Sequence, residues 1–350
     1  MWPELPEFIV YNIMETVMRK FTAVFAAVLL IAAVLVPAPA SAATTMVVAH
    51  NQTSQENPYQ YGMLKFKEAL ERISGGEFSV DVHAGTIGTN EDELVEKIQM
   101  GSADMIVASP GFMTKAGIPE VDMLSLLYLF NGFEHWEKVV DGEIGQALSK
   151  IINEKSRNSF RIAAYWSAGV RNYYGKKPVN TVEDLKGVKI RTQMSGVVAE
   201  FWKKTGAIPT QVAWGELYQA LQQGIVDAAE NDYTNFSLLD HHKTVNGKFI
   251  SETEHDYTTR IVLMNGRKWD AYSQQHKDWI TEALKEATAE ERAITYADLA
   301  KSKAKVIADG ATVNTLDKTP FIEIAVPIQD ALAKRLKMED MLQKIREAGK

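Results

Sequence analysis

The sequence predicts an α/β protein made of two lobes of similar organisation, with a long C-terminal helix that spans both. Strand and helix patterns alternate with short connections over residues 45–108, and a second cycle of the same kind covers residues 160–230. The helix is predicted because residues 273–309 contain neither proline nor glycine. Short connections of this kind favour right-handed crossovers and a mostly parallel sheet.

Both cycles can be divided into elements by their periodicity and their glycines. The first cycle is predicted to contain strand, helix, strand, helix and strand at 45–50, 57–74, 78–83, 91–100 and 103–108. In its first helix the apolar positions near the 3.6-residue period are Tyr61, Leu64, Phe66, Ala69, Leu70 and Ile73. The second cycle is predicted to contain strands at 160–166, 188–191 and 226–230, helices at 197–204 and 216–223, and a helical turn at 183–187.

The C-terminal helix is predicted to brace the two lobes. Ile280, Leu284, Ala287 and Ile294 follow one another at spacings of 4, 3 and 7 residues, which places them on one face. A helix of about 37 residues is about 55 Å long at 1.5 Å per residue. That length exceeds an ordinary domain, so contact with both lobes is expected.

Length, composition and charge exclude several classes of protein. The chain has 350 residues, with 38 Lys and Arg against 45 Asp and Glu, a net charge of −7, and 46% hydrophobic residues. The length suits two domains, and the composition is that of a globular protein. The acidic balance argues against a general nucleic-acid partner. Because cysteine is absent, disulfides, thiolate metal sites and cysteine nucleophiles are excluded.

Residues 1–42 are predicted to be a secretory signal peptide. Arg19-Lys20 is followed by a charge-free apolar run, Phe21–Val36, and then by the small residues Ala40–Ala42. The run has about 16 residues, fewer than the ~20 that a transmembrane helix needs. The remaining chain is therefore expected to be exported, with no stable membrane insertion after cleavage. Met18 directly precedes the basic pair and is an alternative start, which would make residues 1–17 an over-extended N-terminus.

Enzyme motifs are missing or incomplete. There is no G-x-S-x-G, G-x-G-x-x-G or P-loop, and Lys204-Thr205-Gly206 matches the K-T-G of penicillin-recognising enzymes without an S-D-N motif. His241-His242 and His255 lie near Glu252 and Glu254 in the sequence, but without the spacing of a metal site. The sequence therefore predicts no catalytic residue, no metal and no cofactor.

Two arginines are candidates for binding an anion. Arg171 follows the strand that is predicted to end at Trp166, and Arg191 stands at the end of the strand 188–191. Ligands of open α/β sheets collect outside the carboxyl ends of strands, so both guanidiniums are expected at one crevice. A guanidinium can donate two parallel hydrogen bonds to a carboxylate. A surface ion pair is the alternative for either arginine alone.

Two further residues lie where they can contact the same ligand. Asn231 follows the strand 226–230 and offers both a donor and an acceptor, although asparagine at such a position is often only a turn residue. Trp214, in a loop, can form an apolar wall or belong to the core. Two exported α/β lobes with several chain crossings are typical of a hinged periplasmic binding protein.

Three sequence blocks carry a resemblance to a known family. They are Asp184–Arg191 (DLKGVKIR), Gly206–Thr210 (GAIPT) and Trp214–Asn231 (WGELYQALQQGIVDAAEN), and Ile87-Gly88 and Gln99–Asp104 fit the same pattern. The chain resembles the solute-binding proteins of TRAP (tripartite ATP-independent periplasmic) transporters, the DctP-like family, over essentially all residues after the signal peptide.

This resemblance implies the fold, the localisation and the partners. It implies a periplasmic, non-enzymatic receptor whose two lobes are joined by crossing hinge strands and the long helix. Lobe I would comprise 45–167 with about 257–296, and lobe II 168–256 with about 297–350. The implied partners are a small organic acid and the membrane permease of a TRAP transporter.

The resemblance also implies which residues bind the ligand. Arg191 would clamp the carboxylate and Trp214 would place its ring against the ligand, while Arg171 and Asn231 would complete the second lobe's contacts. Lobe I would contribute Asn51, Asn90 or Glu91, and Ser109. Asp232 is either a further acceptor for ligand hydroxyls or, as we favour, a helix cap.

Because no second arginine is evident in lobe I, a hydroxylated monocarboxylate such as a uronate or another sugar acid is favoured. A dicarboxylate or keto-acid receptor is the alternative within the family. Outside it, the alternatives are an amino-acid or sugar receptor of an ATP-driven importer, an exported sugar-acid enzyme, and a sensor domain for a histidine kinase.

Overall fold

The computed structural model describes residues 43–192 and 195–350, together with residues 8, 11, 14, 15 and 17–19. The apolar run and the cleavage site of the predicted signal peptide lie outside the described residues. Among the helices of the described residues, none combines the length and hydrophobicity that a membrane span requires.

The described chain alternates strands and helices, as predicted. The strands are β1 (Thr44–His50), β2 (Phe78–Ala84), β3 (Met105–Ala108), β4 (Phe160–Gly175), β5 (Lys189–Arg191), β6 (Ile208–Thr210), β7 (Ala228–Asn231), β8 (Phe249–Asn265) and β9 (Thr312–Asn314). The α-helices are α1 (Pro58–Ile73), α2 (Glu91–Met100), α3 (Phe112–Lys115), α4 (Phe133–Val140), α5 (Glu143–Lys155), α6 (Gly196–Lys204), α7 (Leu217–Gln223), α8 (Tyr233–Leu238), α9 (Gly266–Ala271), α10 (Gln274–Ala308), α11 (Thr319–Leu336) and α12 (Glu339–Ala348).

The strands form one mixed sheet in the order β2-β1-β3-β8-β4-β7-β5-β6, and β9 pairs with β8. Parallel pairing holds within each of two groups, β1 with β2 and β3, and β5 with β6 and β7. The two long strands β4 and β8 join these groups by antiparallel pairs. The prediction of a mostly parallel sheet is therefore right within each group and wrong for the strands that connect them.

Strand β4 is longer than predicted and contains Arg171. The strand was expected to end at Trp166, but it continues to Gly175 through irregular pairing with β8 between Ser167 and Val170. Gly169 lies in this irregularity at a φ of +71°, a conformation that glycine adopts without strain. A sequence that looks like a break is therefore a bulge inside a continuous strand.

The buried face of helix α1 is rotated relative to the apolar face described from the sequence. Tyr59, Met63, Phe66, Ala69 and Leu70 of α1 are buried, whereas Tyr61 and Leu64 are 40% and 44% exposed. This happens because the buried positions follow one another at intervals of three or four residues from Tyr59, which turns residues 61 and 64 outward.

The long helix α10 closely matches its prediction and contacts two hydrophobic clusters. Ser273 caps its N-terminus by accepting a hydrogen bond from the His276 amide at 3.1 Å. Ile280, Leu284 and Ala287 pack in the same cluster as α1, with Trp166 of β4 beneath them. Near the other end, Val306 packs in a separate cluster with Tyr174, Leu221 and Phe236.

The contact between α1 and β4 leaves no room at Gly62. A Cβ atom on Gly62 would lie 2.7 Å from Trp166 Cη2 and 3.0 Å from Glu291 Cβ. We expect Gly62→Ala to lower the free energy of unfolding by about 1–3 kcal/mol, because overpacking outweighs the higher helix propensity of alanine. Urea unfolding at constant pH measures this change.

The matched control is Gly196→Ala in α6, where no atom of the described residues lies within 4 Å of the added Cβ atom. It is expected to change stability by less than about 0.5 kcal/mol or to raise it. Equal stability of the Gly62 variant and the unmodified protein would contradict the packing described here.

Candidate functional site

A cavity of about 440 Å³ lies where strands from both groups end. Asn51 and Ser109 directly follow β1 and β3, while Arg191 and Asn231 are the last residues of β5 and β7, and all four line the cavity. Because carboxyl ends of parallel strands in one group share an edge, residues distant in sequence meet here. The volume falls within the range of small-molecule sites.

Eight of the nine predicted site residues line this cavity: Asn51, Asn90, Glu91, Ser109, Arg171, Arg191, Trp214 and Asn231. Asp232 does not line it. Its carboxylate caps α8 and accepts hydrogen bonds from the Thr234 amide at 3.0 Å and from Asn235 Nδ2 at 2.7 Å. The favoured interpretation of Asp232 as a helix cap is thus what the structure shows.

Other lining residues were not predicted, namely Gln52, Asp92, Glu93, Phe112, Thr192, Gln211, Val212, Ala213, Asn235 and Arg260. Several of them are adjacent in sequence to predicted residues, and this adjacency could have been used to predict them. Arg260 had no such signal, because it belongs to the unpredicted strand β8. Residues 257–296, from which no second arginine was expected in the site, therefore contribute Arg260 to the cavity lining.

Arg171 is wholly buried and already has a protein counter-ion. Its Nε donates to the Glu230 carboxylate, Nη2 donates to the Glu230 carbonyl, and Nη1 donates to Asn231 Oδ1 at 2.8 Å. Burial alone would lower the pKa of Arg171, but the charge of Glu230 outweighs it and raises that pKa. The guanidinium therefore holds Asn231 in place while its charge is compensated.

Glu230 in turn keeps its charge deep in the protein. Burial works to raise the pKa of Glu230, yet Arg171 and His255 outweigh it and lower that pKa to about 2. His255 Nε2 lies 3.1 Å from the Glu230 carboxylate. The three side chains come from β4, β7 and β8, so this cluster connects the strands of the cavity floor.

Arg191 is buried without such a counter-ion. Only 8% of the residue is exposed, Nε donates to the Val212 carbonyl at 3.1 Å, and the guanidinium lies 5.5 Å from the centre of the Trp214 ring. Among the described residues no carboxylate lies within 4 Å of it. Burial lowers the pKa of Arg191, although an arginine remains charged at neutral pH.

The acidic residue at the other side of the cavity is engaged by its neighbours. Glu91, at the start of α2, accepts hydrogen bonds from the Ser109 amide at 2.5 Å and from Ser109 Oγ at 3.1 Å. Asn90, the residue before α2, makes no capping bond, and its Nδ2 lies 3.5 Å from Glu93 Oε1. The Glu91 carboxylate therefore orders the end of β3.

Two hydrogen bonds join the two sides of the cavity. Trp214 Nε1 donates to Gln52 Oε1 at 3.2 Å, and Asn57 Nδ2 donates to Asn235 Oδ1 at 3.1 Å. His241 lies edge-on to the Trp214 ring at 5.6 Å. Burial and the nearby Arg191 lower the pKa of His241 to about 3, so it is neutral at pH 7.

The histidines do not assemble a metal site. His255 contacts Glu230, His241 contacts Tyr174 Oη at 2.8 Å, and His242 contacts Asp309 at 3.0 Å. Within the part of the chain that the structure describes, no group of three or more His, Cys, Asp or Glu side chains could hold a metal ion.

The chain is similar to known solute-binding proteins over most of its length. Residues 48–335 match the family model of the bacterial extracellular solute-binding proteins, family 7. A crystal structure of a TRAP periplasmic solute-binding protein from Sulfitobacter sp. NAS-14.1 with bound β-D-galacturonate is 28% identical, with a TM-score of 0.81, covering 87% of this chain and 100% of that one.

Two further relatives bind different acids. The TRAP periplasmic solute-binding protein from Pseudomonas putida F1, solved with D-glucuronate, is 28% identical with a TM-score of 0.81, covering 87% of this chain and 97% of that one. The C4-dicarboxylate-binding periplasmic protein of Rhodobacter capsulatus is 26% identical over 305 residues, covering 86% of this chain and 90% of its own length.

The buried ion pair between Glu230 and Arg171 leads to a prediction about the stability of the protein. Glu230→Gln is expected to lower the free energy of unfolding at pH 7 by about 3–5 kcal/mol, because it leaves the Arg171 charge buried without a counter-ion. Glu282→Gln, which removes an exposed carboxylate 2.9 Å from Lys285, is the control and should cost less than about 1 kcal/mol.

The pH dependence of this effect has a defined sign. The folded-state pKa of Glu230, about 2, lies below its ordinary value of 4.5, so its contribution is present above pH 4.5 and disappears as pH falls toward 2. Denaturant unfolding at several pH values should show the two proteins converging over that window. A difference that stays constant down to pH 2 would be inconsistent with a charged Glu230.

Proposed function

Because the chain belongs to family 7 of the bacterial extracellular solute-binding proteins, the solute receptors of TRAP transporters, we propose that it binds a small organic acid in the cavity and delivers it to a TRAP permease. We place this receptor in the periplasm and assign it no catalytic step. The favoured ligand is a hydroxylated acid such as a uronate, and a dicarboxylate is the alternative.

The single observation that carries this proposal is the buried guanidinium of Arg191 at the cavity wall. Its Nε is used by the Val212 carbonyl, which leaves the two Nη groups as a pair of parallel donors. A buried cation without a partner is unfavourable, and a ligand carboxylate supplies both the charge and the acceptors that it lacks. Arg171, whose charge Glu230 compensates, acts as a neighbouring donor instead.

The rest of the lining suits a polyhydroxylated acid. Amide and hydroxyl groups of Asn51, Asn90, Ser109 and Asn231 line the cavity and can donate to or accept from ligand hydroxyls. The Trp214 ring offers an apolar face to a sugar ring. The galacturonate and glucuronate complexes of the two solved relatives support the same class of ligand, while the dicarboxylate-binding relative supports the alternative.

Binding is proposed to close two lobes around the acid. The lobes are residues 45–167 with about 257–296, and 168–256 with about 297–350, and β4 and β8 cross between them. The hydrogen bonds from Trp214 to Gln52 and from Asn57 to Asn235 join these two parts of the chain and support closure. A ligand that contacts both lobes favours the closed state by its differential affinity for that state.

Arg191 provides the direct test. Calorimetry with D-galacturonate and D-glucuronate should show that Arg191→Ala weakens binding by about 2–5 kcal/mol, enough to abolish a measurable signal. Arg191→Lys should also bind poorly, since a lysine retains the charge but loses the two parallel donors.

Arg267→Ala, which removes an exposed guanidinium, is the matched control and should bind normally. Thermal unfolding without ligand establishes that each variant folds. Affinity of Arg191→Ala equal to that of the unmodified protein would refute the clamp. NMR spectra of each acid incubated with the protein should show no product, and turnover would favour the exported enzyme instead.

A further inference from the structure

We propose that Arg260 is a second anion-binding residue of the cavity, and that this receptor prefers hydroxylated diacids, with one carboxylate on Arg191 and the other on Arg260. This inference rests on the proposed function and narrows its ligand class. It adds Arg260, which was not among the predicted site residues, to the groups that decide between an acid with one carboxylate and an acid with two.

Arg260 lies on the side of the cavity opposite to the Arg191 strand group. It pairs with Trp166 of β4, and the next residue, Ile261, pairs with Ala108 at the end of β3. Arg260 therefore stands beside Ser109, at the edge where β3 ends, whereas Arg191 ends β5 in the other group. A ligand with a carboxylate at only one end can pair with only one of these two arginines, Arg191 or Arg260.

The Arg260 side chain is buried and incompletely bonded. Only 6% of the residue is exposed, Nη1 donates to the neighbouring Thr259 carbonyl at 3.2 Å, and Nε finds no hydrogen-bond partner in the described part of the chain. Among the described residues, no carboxylate lies within ion-pair distance of it. Arg260 thus resembles Arg191 and differs from Arg171, whose charge is compensated by Glu230.

The buried acidic side chains near Arg260 are engaged by other groups and do not pair with it directly. Glu291 of α10 is fully buried and accepts hydrogen bonds from the Ser167 amide and from Thr295 Oγ1, both at 3.1 Å. Burial raises the pKa of Glu291 to about 8, so it is mostly protonated at pH 7. Glu91, the buried carboxylate of the lining, accepts hydrogen bonds from Ser109 and does not lie within ion-pair distance of Arg260.

The cavity therefore contains two buried guanidiniums, Arg191 and Arg260, that form no direct ion pair with a carboxylate of the described residues. A monocarboxylate leaves one of them desolvated and unpaired when the site closes, which carries a penalty of several kcal/mol. A diacid supplies both partners, and its hydroxyl groups still meet the amides of Asn51 and Asn231. The chemistry of the cavity therefore favours two anionic ends over one.

The test compares two acids that differ at one end only. Galactarate carries a carboxylate where D-galactonate carries its terminal CH2OH group, and both are open-chain acids, so calorimetry with both isolates the second charge. The unmodified protein should bind galactarate at least about tenfold more tightly, and Arg260→Met should weaken galactarate binding by about 100-fold or more. The same variant should affect galactonate binding far less.

Stability measurements separate this role from a structural one. Removing an unpaired buried charge does not destabilise the ligand-free protein, so Arg260→Met should unfold at the same or a higher temperature. Arg260→Lys should retain part of the preference for galactarate, because it keeps the charge. Arg267→Met removes an exposed arginine and should leave the affinities for both acids unchanged.

Each remaining outcome overturns the inference. Tight galactonate binding with weak galactarate binding, or equal losses for both acids in Arg260→Met, would refute a second anion-binding residue and leave the proposed function intact. If neither acid binds and Arg191→Ala has no effect on any acid tested, the proposed function fails, and this inference fails with it.

Discussion

The buried ion pair between Arg171 and Glu230 determines how the other charges of the cavity behave. It joins β4 to β7, and His255 of β8 extends it to a third strand, so a charged cluster links three strands beneath the cavity. Because desolvation is costly, such a pair contributes little net stability, but removing one partner strongly destabilises the folded protein. Its main consequence is that Arg171 has a carboxylate partner within the protein, whereas Arg191 and Arg260 form no direct ion pair among the described residues.

The two connecting strands explain why a charged cluster can lie in the middle of the sheet. β4 and β8 run through both strand groups, and their pairing is interrupted near Ser167 and Arg171. At Gly169 a Cβ atom would lie 3.0 Å from both Asp232 Cβ and Leu299 Cδ2, so the chain approaches the start of α8 more closely than other residues permit. The bulge therefore brings the N-terminus of α8, which Asp232 caps, and the Arg171 side chain to the floor of the same cavity.

Sequence patterns predicted the elements that are specified locally. Helix α2 has its predicted bounds because Gly101 ends it at a φ of +76°, and α10 begins where Ser273 caps it. Strand β8 was not predicted, because its buried polar residues have partners that are distant in the sequence. His255, for example, contacts Glu230. Arg260 was missed for the same reason. Eight of the cavity-lining residues were predicted from strand ends and family motifs. These signals give no information about the side chains of a crossing strand such as β8.

The proposed closure would couple ligand binding to the same charge distribution. The protein carries a net charge of −7, but exposed charges are screened within about 10 Å in salt, so they do not decide affinity in a buried cavity. In the proposed open state, water solvates Arg191 and Arg260. Closing the cleft without an acid would remove that water and leave both cations without a direct partner, which disfavours the closed state. On this proposal a bound acid removes the penalty, so the anion both occupies the site and shifts the equilibrium toward closure.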